Sequence, residues 1–392
     1  MRVRPRVLMV TGAYYPELSG GGLQAREVVR ALRHEADFCV LTTSTDASLP
    51  SNATEDGIPI RRVFVDTGSV TSRVTAGLRL ASALVRFAPH VDIVNQHGFS
   101  RKAMLLGLLS KTLRKKFVLT LQTGGEDEPA GARALGSAAY RAYANADLYL
   151  SVSPALSSAY LEAGLPPARL RQVCNAVDVD RFAPAPPAER TAIRSELGLP
   201  PDVPLVLFVG LFARDKRPDR LYRAWSRVAG RYPSALVFIG ATRPTTYREV
   251  DPGLADMIRR QAVTDGLADR VFFAETTRAI DQYYRAADIY VLPSIREGLS
   301  IALLEAMSSG LACVASWLPG STDVLIDHGV NGLLVAPDDE EGFAAAMASL
   351  FVDRGELSRL GAAARQTVID RYSIQRTAAA WLAAYREVSS RK

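Results

Sequence analysis

With 392 residues, 48% hydrophobic and 22% charged, the chain is long enough for about two domains that each bury a full core, and its composition excludes disordered and fibrous proteins. Its net charge of +6 lies entirely in the N-terminal half, where residues 1–183 carry 22 Lys and Arg against 16 Asp and Glu while the remainder carries 25 against 25. No apolar run approaches the ~20 residues that cross a bilayer, and three widely spaced cysteines (Cys39, Cys174 and Cys313) make neither a disulfide framework nor a zinc site.

In chain order, the basic start leads into Val-Leu-Met-Val at 7–10, too short for a signal segment and read as a first buried strand. Together these features point to a cytoplasmic protein. Helical patterns at 24–33 and 75–87 alternate with apolar strand runs at 38–41, 93–94 and 117–121. Between Arg61 and Lys116, 11 basic residues meet only Asp66 and Asp92. That stretch is either a solvated basic face or one that attracts anionic lipid or a phosphate-bearing substrate. It lacks the aromatic interleaving and motif spacings of a nucleic-acid binder, so no nucleic-acid partner is expected.

A second strand series follows at 205–210, 235–240, 271–273, 289–292 and 312–316. Alternating strands and helices imply parallel sheets covered on both faces, hence an α/β chain of two doubly wound, Rossmann-like domains. Prolines at 184, 186, 187, 200, 201 and 204 mark the seam. The linker is placed at 175–187 and a short helix at 190–197. The domains are read as 1–181, completed by a C-terminal helix at about 375–392, and 182–374. Ligands of such folds bind at the carboxyl ends of strands, so the expected site is the cleft between the two domains.

The most informative stretch runs from Ser294 to Gly310. A strand ends at Pro293, a loop carries Glu297 and Gly298, and Ser300 caps a helix that stops at Gly310. Amides at Leu299, Ser300, Ile301 and Ala302, with the helix dipole, suit a phosphate. Glu297 before the helix and Glu305 over one turn into it can each accept sugar hydroxyls. The pattern matches a nucleotide-sugar, although taken locally it is also a capping serine with two solvated glutamates.

In its full context this segment resembles the signature of the family-4 retaining glycosyltransferases of the GT-B fold. The likeness continues through Gly210-Leu-Phe-Ala-Arg214-Asp-Lys216, Asn175-Ala-Val-Asp178, Asp288 to Ser294, Pro319 to Asp323, Asn331-Gly332-Leu-Leu-Val and the glycines following Ser19. The resemblance implies that Glu297 binds the transferred sugar, Glu305 the ribose and Lys216 the diphosphate, with Gly210 opening the lysine loop. It further implies that Gly21 and Gly22 let the backbone approach the phosphate, that Phe273 and Glu275 meet the base after their strand, and that the final helix crosses back onto domain one. Leu211 stands where the family has an arginine, which makes Arg214 a candidate replacement. Gln122 stands where the family has a histidine, so His97 is the remaining imidazole. On the acceptor side, Gln122, Gly124 and Glu126 are candidates, and Glu126-Asp-Glu128 is otherwise a solvated loop.

The expected activity is hexosyl transfer with retention, from a UDP- or GDP-linked sugar to an acceptor hydroxyl in cell-surface glycan or glycolipid synthesis. Lys216, His97 and Glu297 form the catalytic set, and no metal or other cofactor is required. The donor and a glycan or lipid-linked acceptor are the expected partners, with an anionic membrane surface as a peripheral docking place. Two rivals remain: another GT-B nucleotide-sugar enzyme such as an epimerase, and a catalytically weak nucleotide-sugar-binding subunit. Asp178-Val-Asp180 reads as structural, and the glycines at 20–22 lie too far past the first strand for an NAD fingerprint.

Overall fold

The computed structural model describes residues 4–17, 19–241 and 250–391. The first three residues of the basic start and the last of the terminal helix lie outside them. The chain divides into two compact units, residues 1–176 with 374–392 and residues 177–373. The first seam falls five residues before the sequence-based boundary at 181/182. Val177 already belongs to the second unit, its N–H bonding Tyr372 O and its backbone bridging to Ser373.

Among the described residues, unit 1 holds β1 (Arg6–Thr11), β2 (Asp37–Ser44), β3 (Asn52–Glu55), β4 (Ile58–Phe64), β5 (Ile93–His97), β6 (Lys116–Leu121), β7 (Leu148–Ser151) and β8 (Leu170–Gln172), in the order β3-β4-β2-β1-β5-β6-β7-β8. Apart from the β3–β4 pair the ladders are parallel, with Met9 opposite both Val40 and Asn95. The central strands are buried on both faces, which is why they read as unbroken apolar runs rather than alternating ones. β3 and β4 were not expected. They form an antiparallel hairpin closed by Asp56-Gly57, both at positive φ (49° and 80°), the pairing a two-residue type I′ turn needs.

The helix expected at 24–33 is Gly20–Leu32, so the three glycines form its first turn and are not a loop ahead of it. Ser19 caps it by accepting Gly22 N–H at 3.1 Å. The last helix, Ile374–Ser390, packs within unit 1. Trp381, Tyr385 and Val388 are fully buried there, and Tyr385 OH donates to Asn95 Oδ1 at 2.8 Å. The basic stretch is less exposed than its composition suggests. Arg62 is buried against Tyr15 O, and Lys102 turns inward to donate to Thr11 O at 2.7 Å, where burial brings its pKa down to about 8.

Unit 2 holds β9 (Leu205–Val209), β10 (Ala235–Ile239), β11 (Val271–Ala274), β12 (Ile289–Leu292), β13 (Ala312–Ser316) and β14 (Leu333–Val335), in the order β11-β10-β9-β12-β13-β14, all parallel. Phe208, Phe212 and Phe238 pack with centroids 5.7–6.1 Å apart at the heart of its core. Phe273 lies in β11, as its strand run predicts, with its ring partly buried 5.3 Å from Phe238 and covered by Arg259, so a contact with a base there falls to its main chain, as the resemblance implies. One expectation needs correction. The helix expected at 190–197 begins earlier, as Pro187–Glu196, because Pro187 suits a first helical turn.

Candidate functional site

In unit 2 the polar groups gather at the carboxyl ends of β9 and β12, which are neighbours in the sheet. β9 stops before Gly210, whose N–H bonds Ile239 O at 3.0 Å. Gly240 is required here, since a Cβ on it would lie 1.9 Å from Gly210 O. The chain then turns through Leu211, Phe212, Ala213 and Arg214 to Lys216. Arg217, left-handed at φ 52°, passes it into the helix Pro218–Ala229.

The loop after β12 is tied to this turn twice. Ile295 N–H donates to Asp215 O at 2.9 Å, and Arg296 meets the Asp215 carboxylate at 3.3 Å. The tie brings Glu297 to Lys216, with Nζ 2.8 Å from Oε1. The lysine side chain is 25% exposed and the glutamate 9%. Burial works against the ammonium, but the Glu297 and Asp215 carboxylates outweigh it and hold the Lys216 pKa above its ordinary value. Lys216 is therefore held as an ammonium, with the Glu297 carboxylate against it.

Next to it, Ser300 opens the helix Ile301–Ser308 by accepting Leu303 N–H at 3.3 Å, and Gly310, at φ 75°, ends it. The N–H groups of Ile301 and Ala302 precede the first intrahelical bond, made by Leu304 N–H to Ser300 O, so they are available to an anion. Leu299 and Gly298 are buried, and Ser321 Oγ, in the turn after β13, donates to Gly298 O at 2.9 Å. Glu305, partly buried, reaches the Tyr284 hydroxyl. Tyr290 lies beside both Glu297 and Glu305, and its phenol pKa is pushed well up by burial first and by these two carboxylates after it. Two acids eight positions apart in sequence are thus brought together over one buried tyrosine of β12.

Arg214 does not join this group. Its side chain is 85% exposed and, among the described residues, meets only Asp251, at 3.4 Å. Glu275 is exposed just past β11.

In unit 1 the corresponding edge carries His97, Gln122 and the glycine turn. His97, 6% exposed at the end of β5, stacks at 5.7 Å on Trp381. Gln122 Nε2 lies 3.4 Å from its Nδ1, and Nε2 of the ring is buried with no hydrogen-bond partner. Burial depresses its pKa to about 3, so the ring is neutral. With the Gln122 amide donating to Nδ1, the proton sits on Nε2 as an unsatisfied donor.

The two glycines of the phosphate expectation divide. A Cβ on Gly22 would fall 2.2 Å from Ala13 O, so the fold itself requires that glycine, whereas Gly21 faces open space. In the 122–128 loop, Gly124 is buried and Glu126 exposed. Asp127, which carries no expectation of its own, is buried. It accepts N–H bonds from Phe99, Gln122 (2.8 Å) and Thr123 (2.9 Å), while burial raises its pKa to about 6. It therefore builds the loop, and the reading of this acidic run as solvated fails at its centre.

Two doubly wound parallel sheets, one per unit, with an ammonium–carboxylate pair and a capped helix start at strand carboxyl ends, define the GT-B class of transferases. The chain belongs to the family-4 glycosyltransferases of that class. The family descriptions "Glycosyltransferase Family 4" and "Glycosyl transferases group 1" match residues 18–181 and 189–367. The D-inositol 3-phosphate glycosyltransferase of Kineococcus radiotolerans is 30% identical over 85% of this chain and 82% of its own. The chain spans only about half the length of a protein of the same name from Xylanimonas cellulosilytica. The alpha-maltose-1-phosphate synthase of Mycobacterium tuberculosis is 28% identical over 98% of this chain and 99% of its own. Among solved structures, Anabaena HepE in complex with UDP and glucose superposes with a TM-score of 0.77 at 19% identity, covering 95% of this chain and 96% of that one.

Proposed function

We propose that the protein transfers a hexosyl group from a nucleoside-diphosphate sugar to an acceptor hydroxyl with retention at the anomeric carbon. The observation that carries this is the Lys216–Glu297 pair beside the open N–H groups of Ile301 and Ala302. A diphosphate leaving group gathers negative charge as its bond to the sugar breaks, and a fixed ammonium with two helix amides stabilises that charge without reorganising. Glu297 then holds a sugar hydroxyl and Glu305 the ribose. In unit 1, Gly21 offers an open backbone approach. The acceptor oxygen attacks the face from which the diphosphate departs. The anomeric C–O bond to phosphate breaks, the glycosidic bond forms, and the acceptor proton passes to the departing phosphate oxygen. In this reading the cationic work is done by the chain itself, and no metal takes part.

A UDP ligand in HepE and the phosphate-bearing compounds named in both relatives favour a UDP-sugar and a phosphate-bearing acceptor. The test is incubation with UDP-glucose or GDP-mannose and inositol phosphate or a hexose phosphate, following the product's anomeric proton by NMR. An α-linked product from an α-linked donor, formed equally with and without EDTA, is expected. A β-linked product, or loss of turnover on chelation, rejects the mechanism; interconversion of the donor without an acceptor favours the epimerase alternative.

A second observation bears on where the protein works. On the helix Val70–Phe87, Val70, Val74, Leu78 and Val85 are each half exposed or more and fall on one stripe, with exposed Arg79 and Arg86 about a quarter-turn away. Apolar side chains flanked by arginines suit the surface of an anionic membrane. Among the described residues, no helix is long and apolar enough to cross one. The protein is expected to sediment with phosphatidylglycerol vesicles more than with phosphatidylcholine vesicles, and V74D/L78D to reduce this several-fold. Equal partition of the unaltered protein between the two vesicle types rejects the docking.

A further inference from the structure

The opposite edge of the unit 2 sheet holds a cavity of ≈420 Å³, within the range of small-molecule sites. It sits at the amino ends of β12 and β13, bounded by Asp288 and Leu311, which directly precede those strands. Its lining is mixed, with apolar Tyr284, Leu311 and Ile369 and the guanidinium groups of Arg190, Arg285 and Arg365.

The charges here do not cancel. Asp288, the buried acid of the cavity, is saturated from inside: Arg194 Nη2 reaches it at 2.7 Å, Leu205 N–H at 2.7 Å and Arg190 as well, with Arg354 at 3.9 Å. Among the described residues, Arg285 pairs with Glu189 at 2.6 Å. Arg365 spends its Nη1 on the carbonyls of Val179, Phe182 and Ser308, with Asp180 as its nearest charge influence. Of the charged side chains that line the cavity, three are guanidinium groups, Arg190, Arg285 and Arg365, and one is a carboxylate, Asp288. Ser309 supplies a second, independent observation. It lines the cavity, is 4% exposed, and its Oγ is buried with no hydrogen-bond partner. A buried hydroxyl left unmatched beside surplus guanidinium groups is what a missing anionic oxygen would satisfy.

We propose that this cavity binds a phosphorylated small molecule, its phosphate toward Arg285, Arg365 and Ser309 and its carbon body against Tyr284, Leu311 and Ile369. The site is separate from the Lys216–Glu297 group, since the two lie at opposite ends of the same strands. They are joined by the helix Ile301–Ser308, about 12 Å long, which starts at the donor groups and ends against the cavity.

Calorimetric titration of the full chain with glucose 6-phosphate, inorganic phosphate and glucose tests this. Glucose 6-phosphate is expected to bind, inorganic phosphate more weakly, and glucose not detectably. R285E, which reverses a rim charge, and Q366W, which fills the mouth from an exposed position, are each expected to weaken glucose 6-phosphate binding at least tenfold while leaving UDP binding unchanged. K216A, silent in transfer, is expected to keep it. Failure of glucose 6-phosphate to bind the unaltered protein at millimolar concentration, or undiminished binding by both R285E and Q366W, overturns the proposal. Because the readout is binding and K216A is one of its arms, an outcome here is independent of whether the sugar-transfer reading holds.

Discussion

Lys216→Ala is expected to lower the rate of sugar transfer about 10²–10³-fold, the range seen when one preorganised donor to a developing oxyanion is removed. The ammonium is 25% exposed and held 2.8 Å from Glu297 by a turn that Asp215 ties to the β12 loop. Its place does not depend on substrate, so its contribution at the bond-breaking step costs no rearrangement. The same substitution strands Glu297, 9% exposed, without its cation. A moderate fall in stability should accompany the loss of activity, of a size set by an unpaired, largely buried carboxylate. The double variant Lys216→Met with Glu297→Gln separates the two effects. It removes both charges and should recover most of the stability while remaining inactive. Urea melts and single-turnover transfer on the three proteins check this. Near-normal transfer by Lys216→Ala removes the lysine from the mechanism, and a double variant as unstable as the single one shows the pairing to be of no structural consequence.

Trp381→Ala is expected to cost about 3–5 kcal/mol, the usual range for emptying a fully buried aromatic site. The indole is 0% exposed in the last helix, stacks on His97 at 5.7 Å, packs 6.2 Å from Tyr385 and donates from Nε1 to Cys174 O at 3.4 Å. It joins the end of the chain to the centre of the unit 1 sheet and holds the one imidazole at that edge in position. The effect should appear in the unfolding of unit 1, so denaturant melts read by amide exchange should show residues 6–121 losing protection while 205–335 keep theirs. A loss under 1 kcal/mol, or equal loss of protection in both units, contradicts this account of the terminal helix.

The resolution of this sequence into strands and helices succeeded where burial is symmetrical. Strands covered on both faces become continuous β-branched and aliphatic runs, so β1, β6, β9, β10 and β13 are visible as such. Helix ends governed by local chemistry are equally visible: Ser300 as a cap and Gly310 as a stop need only their own neighbours. The β3–β4 hairpin escaped because Asn-Ala-Thr-Glu is a polar edge strand with no apolar run, although Asp56-Gly57 was itself a turn signal. The glycines at 20–22 suggest a loop by propensity, yet Ser19 and the approach of Gly22 to Ala13 O draw them into a helix.

By itself the sequence determined the alternation of strands and helices along the chain and the family resemblance, because these rest on short-range spacing and on the residue types each local conformation demands; the donor roles of Lys216, Glu297 and Glu305 come from that resemblance and stand as a proposal. Tertiary structure alone decided that Lys216 and Glu297 make an ion pair, that Tyr290 feels both glutamates, that Asp127 is buried and Lys102 turned inward while Arg214 is exposed, and that the last helix supports His97. Each of those joins groups from separate strand ends or turns one side chain inward. Charge, burial and pKa follow from which neighbours a fold supplies in three dimensions, and separation along a chain does not specify them.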